Sequence, residues 1–279
     1  MRKRLRKTLS SEDLGKVYNA YDIIGSIAII KLPPDFSENA QTAAKAIMAI
    51  QKNVKTVLVQ ESPVSGDFRL RRLAHVAGEN TTFTIHKESG CLFSVDVDKC
   101  YFSPRLSYER SRIARMVKPK ETVVNMFAGV GCFSIIIAKK VDTAKVFSID
   151  VNPAAVQFMQ ENIRLNRVYG NVIPLIGDSQ EIVNSRLRGV ADRVLMPLPE
   201  KALEYLPCAV SALKASGGWI HYYDFEHVKK TENPKEKPRL KVAQKLASLN
   251  VTFDSLYPRV VRTTGPNWYQ VVLDIHVTS

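Results

Sequence analysis

Cysteine is scarce and unpatterned. The chain has four, Cys91, Cys100, Cys132 and Cys208, and none stands at Cys-x-x-Cys or Cys/His ligand spacing. That argues against a disulfide framework and a structural metal, and for reduced intracellular thiols. The five histidines are equally scattered, so no metal is expected. No apolar run reaches the roughly 18 residues of a membrane-spanning helix. The start, Met1-Arg2-Lys3-Arg4-Leu5-Arg6-Lys7, lacks the apolar core of a secretory signal. A soluble, cytoplasmic protein with no membrane partner is expected. Acidic residues are outnumbered, 27 Asp/Glu against 40 Lys/Arg, for a formal net charge of +13. The imbalance is concentrated in residues 1–120, which carry 21 Lys/Arg and 12 Asp/Glu. A polyanionic substrate gripped by the front of the chain follows from that charge, with residues 1–14 as a flexible basic arm.

What is present is a strand-turn-helix-strand signature from Thr122 to Pro153. Val123-Val124-Asn125-Met126 runs into Phe127-Ala128-Gly129-Val130-Gly131, and a second apolar strand ends Asp150-Val151-Asn152-Pro153. In an open parallel sheet this places a ligand at the carboxyl ends of the two strands, with Asp150 set to accept hydrogen bonds from ribose hydroxyls. A nicotinamide fingerprint would put a third glycine where Ser134 stands, and no Gly-Lys-Ser/Thr follows to cradle phosphates. The turn is apolar and offers no base to a pyrophosphate. A nucleoside bearing a small zwitterion, S-adenosyl-L-methionine, fits better. A generic α/β turn with a buried Asp cap is the plainer alternative.

The chain reads as two domains. Residues 15–103 suggest a small α+β domain for RNA binding and target positioning, with strands at Tyr21–Leu32 and Thr56–Gln60 and a helix capped by Ser37. A hairpin over Thr82–Asp98 turns at Glu88-Ser89-Gly90. Residues 104–120 read as a connecting helix. Residues 121–279 alternate strand and helix and end in two strands with no helix between them. That is a Rossmann-like, mostly parallel seven-stranded sheet of the class I methyltransferase type. Lys229–Arg239, polar with two prolines, reads as a surface loop. Gly177-Asp178 closes the third strand of this domain, and Asp178 suits either the adenine amino group or a helix N-cap. Pro197-Leu198-Pro199 follows the fourth strand, where an amino-methyltransferase often carries Asn/Asp-Pro-Pro facing the methyl group. Pro197 has no side-chain donor.

Together with Tyr21-Asp22-Ile23-Ile24-Gly25, Thr84-Ile85-His86-Lys87-Glu88, Tyr101-Phe102-Ser103-Pro104-Arg105-Leu106-Ser107-Tyr108-Glu109-Arg110 and Ile220-His221-Tyr222-Tyr223, these stretches resemble the archaeal and eukaryotic tRNA guanine-37-N1-methyltransferases. The resemblance covers roughly residues 20–279. It implies an S-adenosyl-L-methionine enzyme acting on the purine 3′ of the anticodon and contacting the anticodon arm, as a monomer. Glu109 would be the general base toward guanine N1, and Arg69 would stabilise charge on the O6 side. Tyr101, Arg105 and Arg110 would shape the target pocket. Phe127, Ala128, Gly129, Val130, Gly131, Asp150, Val151, Asn152, Gly177 and Asp178 would hold the cofactor.

The chain departs from the family at three points. The extra N-terminal domain that grips the tRNA elbow in longer relatives is expected to be absent. Asn125 stands where relatives usually have Asp. Pro197 replaces an Asn, as in the wyosine-pathway branch that also methylates C7 of 4-demethylwyosine. Two rivals stand beside this reading. One is the sibling aminocarboxypropyl transferase, whose members usually have Gly-Asn where this chain has Pro104-Arg105. The other is a non-catalytic tRNA-binding protein. The charge makes one prediction: affinity for tRNA falls linearly in log K with log salt. An affinity flat from low to high salt in a binding titration would contradict it.

Overall fold

The computed structural model describes residues 21–32 and 40–278. The basic arm and the Ser37 cap lie outside these residues. The chain divides into two compact units, one up to Ser107 and one from Tyr108, so the division falls inside the segment read as a connector.

In the first unit, the Tyr21–Leu32 stretch forms two strands, β1 (Asp22–Ile24) and β2 (Ile27–Ile30), that fold back on each other at Gly25-Ser26. Helix α1 (Ala40–Ile50) leads to β3 (Thr56–Gln60), parallel to β2, and β4 (Leu73–Gly78) pairs antiparallel with β3. The strand order is therefore β1-β2-β3-β4. Ala44 and Ile47 of α1 pack on Ala28, Ile30 and Val57. The hairpin β5 (Phe83–Glu88) and β6 (Cys91–Asp96) turns where expected. It is tied to the β1–β2 turn, where Gly25 N–H donates to His86 Nδ1 (3.1 Å) and Ser26 N–H to Thr84 Oγ1 (2.9 Å). A Cβ on Gly25 would sit 2.2 Å from that hydroxyl, so the approach needs glycine. A 3₁₀ turn, Pro104–Leu106, closes the unit.

The second unit opens within α2 (Ser107–Met116). It then runs β7 (Thr122–Asn125), α3 (Cys132–Lys140), β8 (Lys145–Asp150), α4 (Pro153–Asn166), β9 (Val172–Ile176), α5 (Ser179–Ile182), β10 (Arg193–Met196), α6 (Ala202–Ala212), β11 (Gly218–His227), α7 (Glu236–Ser248), β12 (Phe253–Gly265) and β13 (Trp268–Val277). The seven strands lie in the order β12-β13-β11-β10-β7-β8-β9, with β13 antiparallel to both neighbours. The order of strand addition reverses at β7, which is flanked by β8 and β10, so the crevice at its carboxyl end is a topological switch point. Residues Cys132–Ala138 of α3 are all buried, and all but Ser134 are apolar.

One expectation changes. Helix α7 begins at Glu236, inside the stretch read as loop. Pro238 lies in its first turn, where the missing N–H would have had no helical acceptor. Strand β11 runs to His227 because β13 pairs with it over its whole length. Among the described residues no helix is long and apolar enough to cross a membrane, and the four cysteines are buried free thiols.

Gly131 has φ +90°, and a Cβ there would meet Met159 Cγ of α4 at 2.8 Å. Gly131→Ala should lower stability by about 1–3 kcal/mol through overpacking and left-handed strain. An unchanged urea midpoint would contradict that close packing.

Candidate active site

The crevice is built by turns that leave the strand ends. Strand β7 delivers Phe127–Gly131, in which Gly129 has φ +56° and no atom within 4 Å of an added Cβ. The turn is held by Asp150 at the end of β8. Its Oδ2 accepts from Gly129 N–H (2.6 Å) and its Oδ1 from Asn152 N–H (2.9 Å). Burial pushes the Asp150 carboxyl above its ordinary range, against these two backbone donors. Each oxygen retains acceptor capacity for a ribose hydroxyl. Asn152 caps α4, its side chain accepting from Ala154 N–H (3.0 Å), and Val151 beside it is exposed.

Beyond Gly177, Asp178 is a helix cap that accepts from Gln180 N–H (2.7 Å), and it also accepts from the Tyr205 hydroxyl. Burial and then Asp178 raise the Tyr205 phenol, so it stays the donor. Tyr205 packs edge-on to Phe127 with centroids 5.2 Å apart. Ser179 donates to Met126 O and binds this wall to the β7 turn. Strand β10 ends at Met196, and Pro197, Leu198 and Pro199 form the turn after it.

Beneath the turn lies a polar group that the sequence reading did not assemble. Asn125 Nδ2 donates to Ser134 Oγ (3.1 Å), which also accepts from Ser148 Oγ (2.7 Å). Asn125 Oδ1 is buried and accepts no hydrogen bond from any described residue. An acceptor left open, a carboxylate with spare acceptor capacity and an uncluttered glycine fit a ligand that brings hydroxyl and ammonium donors, as the expected nucleoside cofactor does.

Glu109 is 2% exposed on α2. Arg112 forks onto it, Nε to Oε2 at 2.8 Å and Nη2 to Oε1 at 2.7 Å, and the Tyr223 hydroxyl donates to Oε1 at 2.7 Å. Oε2 thus keeps a lone pair. The other side of Arg112 forks onto Asp274 of β13, at 2.6 and 3.1 Å. Asp274 in turn accepts from His221 Nδ1, and His221 Nε2 accepts from Arg193 Nη1 at 2.7 Å. Arg193 forks onto Glu121. Burial holds His221 below its ordinary pKa, neutral, with its tautomer set by these two partners. Burial would raise Asp274, but hydrogen bonds from His221 and Arg112 outweigh it and hold the carboxyl well below the usual range. Burial also raises the Tyr223 phenol, and Glu109 raises it further. Arg110 is buried with its guanidinium 5.9 Å from the Phe133 ring.

The remaining expected residues are in the first unit. Arg69 closes the Ser65–Leu70 loop, its N–H donating to Gly66 O (3.0 Å), in a left-handed conformation of φ +54°. Its guanidinium lies 4.6 Å from the Tyr101 ring centroid. Arg105 pairs with Asp22 at 2.6 Å. Arg71 joins this group, interacting with Asp22, Tyr101 and Arg105, and burial lowers its pKa. Sequence reading quoted His221 and Tyr223 only within a family motif, and gave no role to Arg71, Arg112, Asp274, Tyr205 or Ser179. No local spacing marks residues brought together from distant strands and helices.

Known proteins share this fold. Residues 84–252 match the TRM5/TYW2 methyltransferase domain, and residues 1–81 match the TYW2 N-terminal domain. The chain is 43% identical to the tRNA (guanine(37)-N(1))-methyltransferase Trm5b of Pyrococcus abyssi, over 93% of this chain and 75% of that protein. It is 35% identical to the tRNA 4-demethylwyosine(37)-methyltransferase Taw21 of Saccharolobus solfataricus, over 95% and 96%. The crystal structure of Pyrococcus abyssi Trm5b superposes with a TM-score of 0.86 at 39% identity, covering 98% of this chain and 79% of that one. A complex of aTrm5 with tRNALeu gives 0.83 at 33%, covering 99% and 77%. Pyrococcus horikoshii TYW2 in complex with MeSAdo gives 0.79 at 30%, covering 99% and 97%.

Asp274 has a depressed folded pKa. Its stabilisation is therefore present above the unfolded value of about 3.9 and is lost as pH falls toward the folded one. Asp274→Asn should cost about 3–5 kcal/mol near neutrality, because Arg112 is left underpaired, and should flatten the acid-side decline. Urea unfolding at several pH values checks this. A variant as stable as the parent at neutral pH would contradict it.

Proposed function

The chain belongs to the TRM5/TYW2 methyltransferase family, and on that premise we propose that it methylates N1 of guanosine 37 in tRNA with S-adenosyl-L-methionine as cofactor. The observation that carries this reading is Glu109, a buried carboxylate fixed by Arg112 and Tyr223 with one lone pair of Oε2 still open. Guanine N1 carries a proton and is a poor nucleophile. A carboxylate within reach removes that proton as the new bond forms, and a guanidinium near O6 offsets the charge that moves there. Glu109 takes the first role and Arg69, steadied against Tyr101, the second. The base must leave its stack to be methylated, and Tyr101, Arg105, Arg110 and the Pro197-Leu198-Pro199 turn are the residues assigned to receiving it.

The cofactor, when bound, supplies an electrophilic methyl group. Asp150 would accept from its ribose, the Phe127–Gly131 turn would let it approach the backbone, and Asp178 with Gly177, Phe127 and Tyr205 would flank its adenine. Val151 and Asn152 would complete the wall, and the open Asn125 Oδ1 would accept from its ammonium. The enzyme works as a cytoplasmic monomer and reads the anticodon arm.

A second activity has its own support. Pro197 removes a side-chain donor from the guanine edge, and the Taw21 relative matches over nearly the full length of both chains. C7 methylation of 4-demethylwyosine at the same position is the second reading. Pro104-Arg105, where aminocarboxypropyl transferases usually have Gly-Asn, argues against transfer of the other carbon chain.

Labelled cofactor, tRNA transcripts with G37 or A37 and nucleoside mass spectrometry test the proposal. N1-methylguanosine forms on the G37 transcript alone. Glu109→Gln lowers the rate about 10²–10⁴-fold with cofactor affinity retained. An aminocarboxypropylated product, or a Glu109→Gln enzyme at the parent rate, would contradict it.

A further inference from the structure

Tyr108 is the chain neighbour of Glu109 on α2 and points to solvent. It is 64% exposed, whereas Glu109 is buried. Arg115 stands seven residues further along, on the same helix face, with its guanidinium carbon 5.9 Å from the Tyr108 ring centroid. Arg259, on the edge strand β12, lies 5.2 Å from the same centroid. Among the described residues no carboxylate pairs with Arg115 or Arg259. Their buried counterparts differ sharply, since Arg112 sits between Glu109 and Asp274 and Arg193 is forked by Glu121. The Tyr108 phenol is held below its ordinary range, by the hydrogen bond from Arg259 first and then by the charges of Arg259, Arg115 and Arg112. Tyr257, two residues before Arg259 and on the same strand face, is also exposed.

Two like charges converging on one exposed ring repel each other, and the π-face of the tyrosine offsets only part of that. What such a pair lacks is an anion. Guanidinium forks suit phosphate oxygens, and a tyrosine that positions two of them fixes the site in advance of binding. The whole chain has the same sign, with a net charge of +13. We propose that Tyr108, Arg115 and Arg259 form a phosphate-binding surface on the second unit that grips the sugar–phosphate backbone of the RNA substrate. It lies on the exposed face of the helix whose buried face carries Glu109. The proposal rests on tRNA being the substrate.

The test uses the full chain and its Arg115→Ala/Arg259→Ala variant. Affinity for an unmodified G37 transcript is measured over a range of salt, with calorimetric cofactor binding and thermal melting alongside. The variant should bind tRNA about tenfold or more weakly at low salt, and its slope of log K on log salt should be shallower by about 0.9 for each phosphate no longer neutralised. Cofactor affinity and melting temperature should be unchanged. Arg259→Glu should weaken binding further than Arg259→Ala. An unchanged affinity and slope overturns the proposal. So does a loss of affinity at unchanged slope with a lowered melting temperature, which would make the cluster structural. Methyl transfer to G37 by the parent separates the two readings. If the parent transfers normally and the variant binds equally, only the surface is wrong. If the parent neither binds nor methylates tRNA, the substrate reading falls and the surface with it.

Discussion

The second unit depends on one guanidinium. Arg112 is largely buried between Glu109 and Asp274 and makes two hydrogen bonds to each. Placing three charges out of water is expensive, and replacing such a group with apolar residues is often neutral or stabilising. The arrangement is therefore better understood through what it fixes than through net stability. From Arg112 the pairing runs through Asp274 on β13, His221 on β11 and Arg193 on β10 to Glu121 before β7. Helix α2 is thereby registered against the middle of the sheet, and the carboxylate of Glu109 is held in one orientation by a fork and a phenol.

The turns at the carboxyl ends of the strands are organised in the same way. Asp150, Asp178 and Ser179 are each committed to a backbone group or a neighbouring hydroxyl. These bonds join the ends of β7, β8 and β9 into one rim. Because they use only part of the acceptor capacity of each carboxylate, the rim is rigid before a ligand arrives and still able to accept from one. Preorganised acceptors cost little reorganisation at the moment of reaction. Arg69 follows a related logic in the first unit, where a left-handed backbone position and a tyrosine ring aim a guanidinium.

Much of this was legible in the sequence because the signals are local. The Gly129-Val130-Gly131 turn, the acid at Asp150, the hairpin at Ser89-Gly90 and the strand-helix alternation all rest on a few adjacent residues. Glu109 and Arg112 are also three apart on one helix, and their pairing could be anticipated as a plain ion pair. That the pair continues into Asp274 could not, since 162 residues separate Arg112 from Asp274 and only sheet order brings them together. Helix α7 was cut short because Pro238 is read as a breaker, although in a first turn it is tolerated. Tyr205 and Ser179 were invisible because each acts through a side chain reaching a distant turn. Similarity to known proteins settles the family.

If Arg112 positions the Glu109 carboxylate for the chemical step, the fork between them must matter beyond its charge. Single-turnover methyl transfer to a G37 transcript by Arg112→Lys, which keeps the charge and loses the fork, measures this directly. The predicted result is a slower chemical step with a displaced pH–rate profile, while affinities for cofactor and tRNA stay near those of the parent. A parent-like single-turnover rate in a folded Arg112→Lys enzyme would contradict that role. A loss confined to binding would contradict it equally.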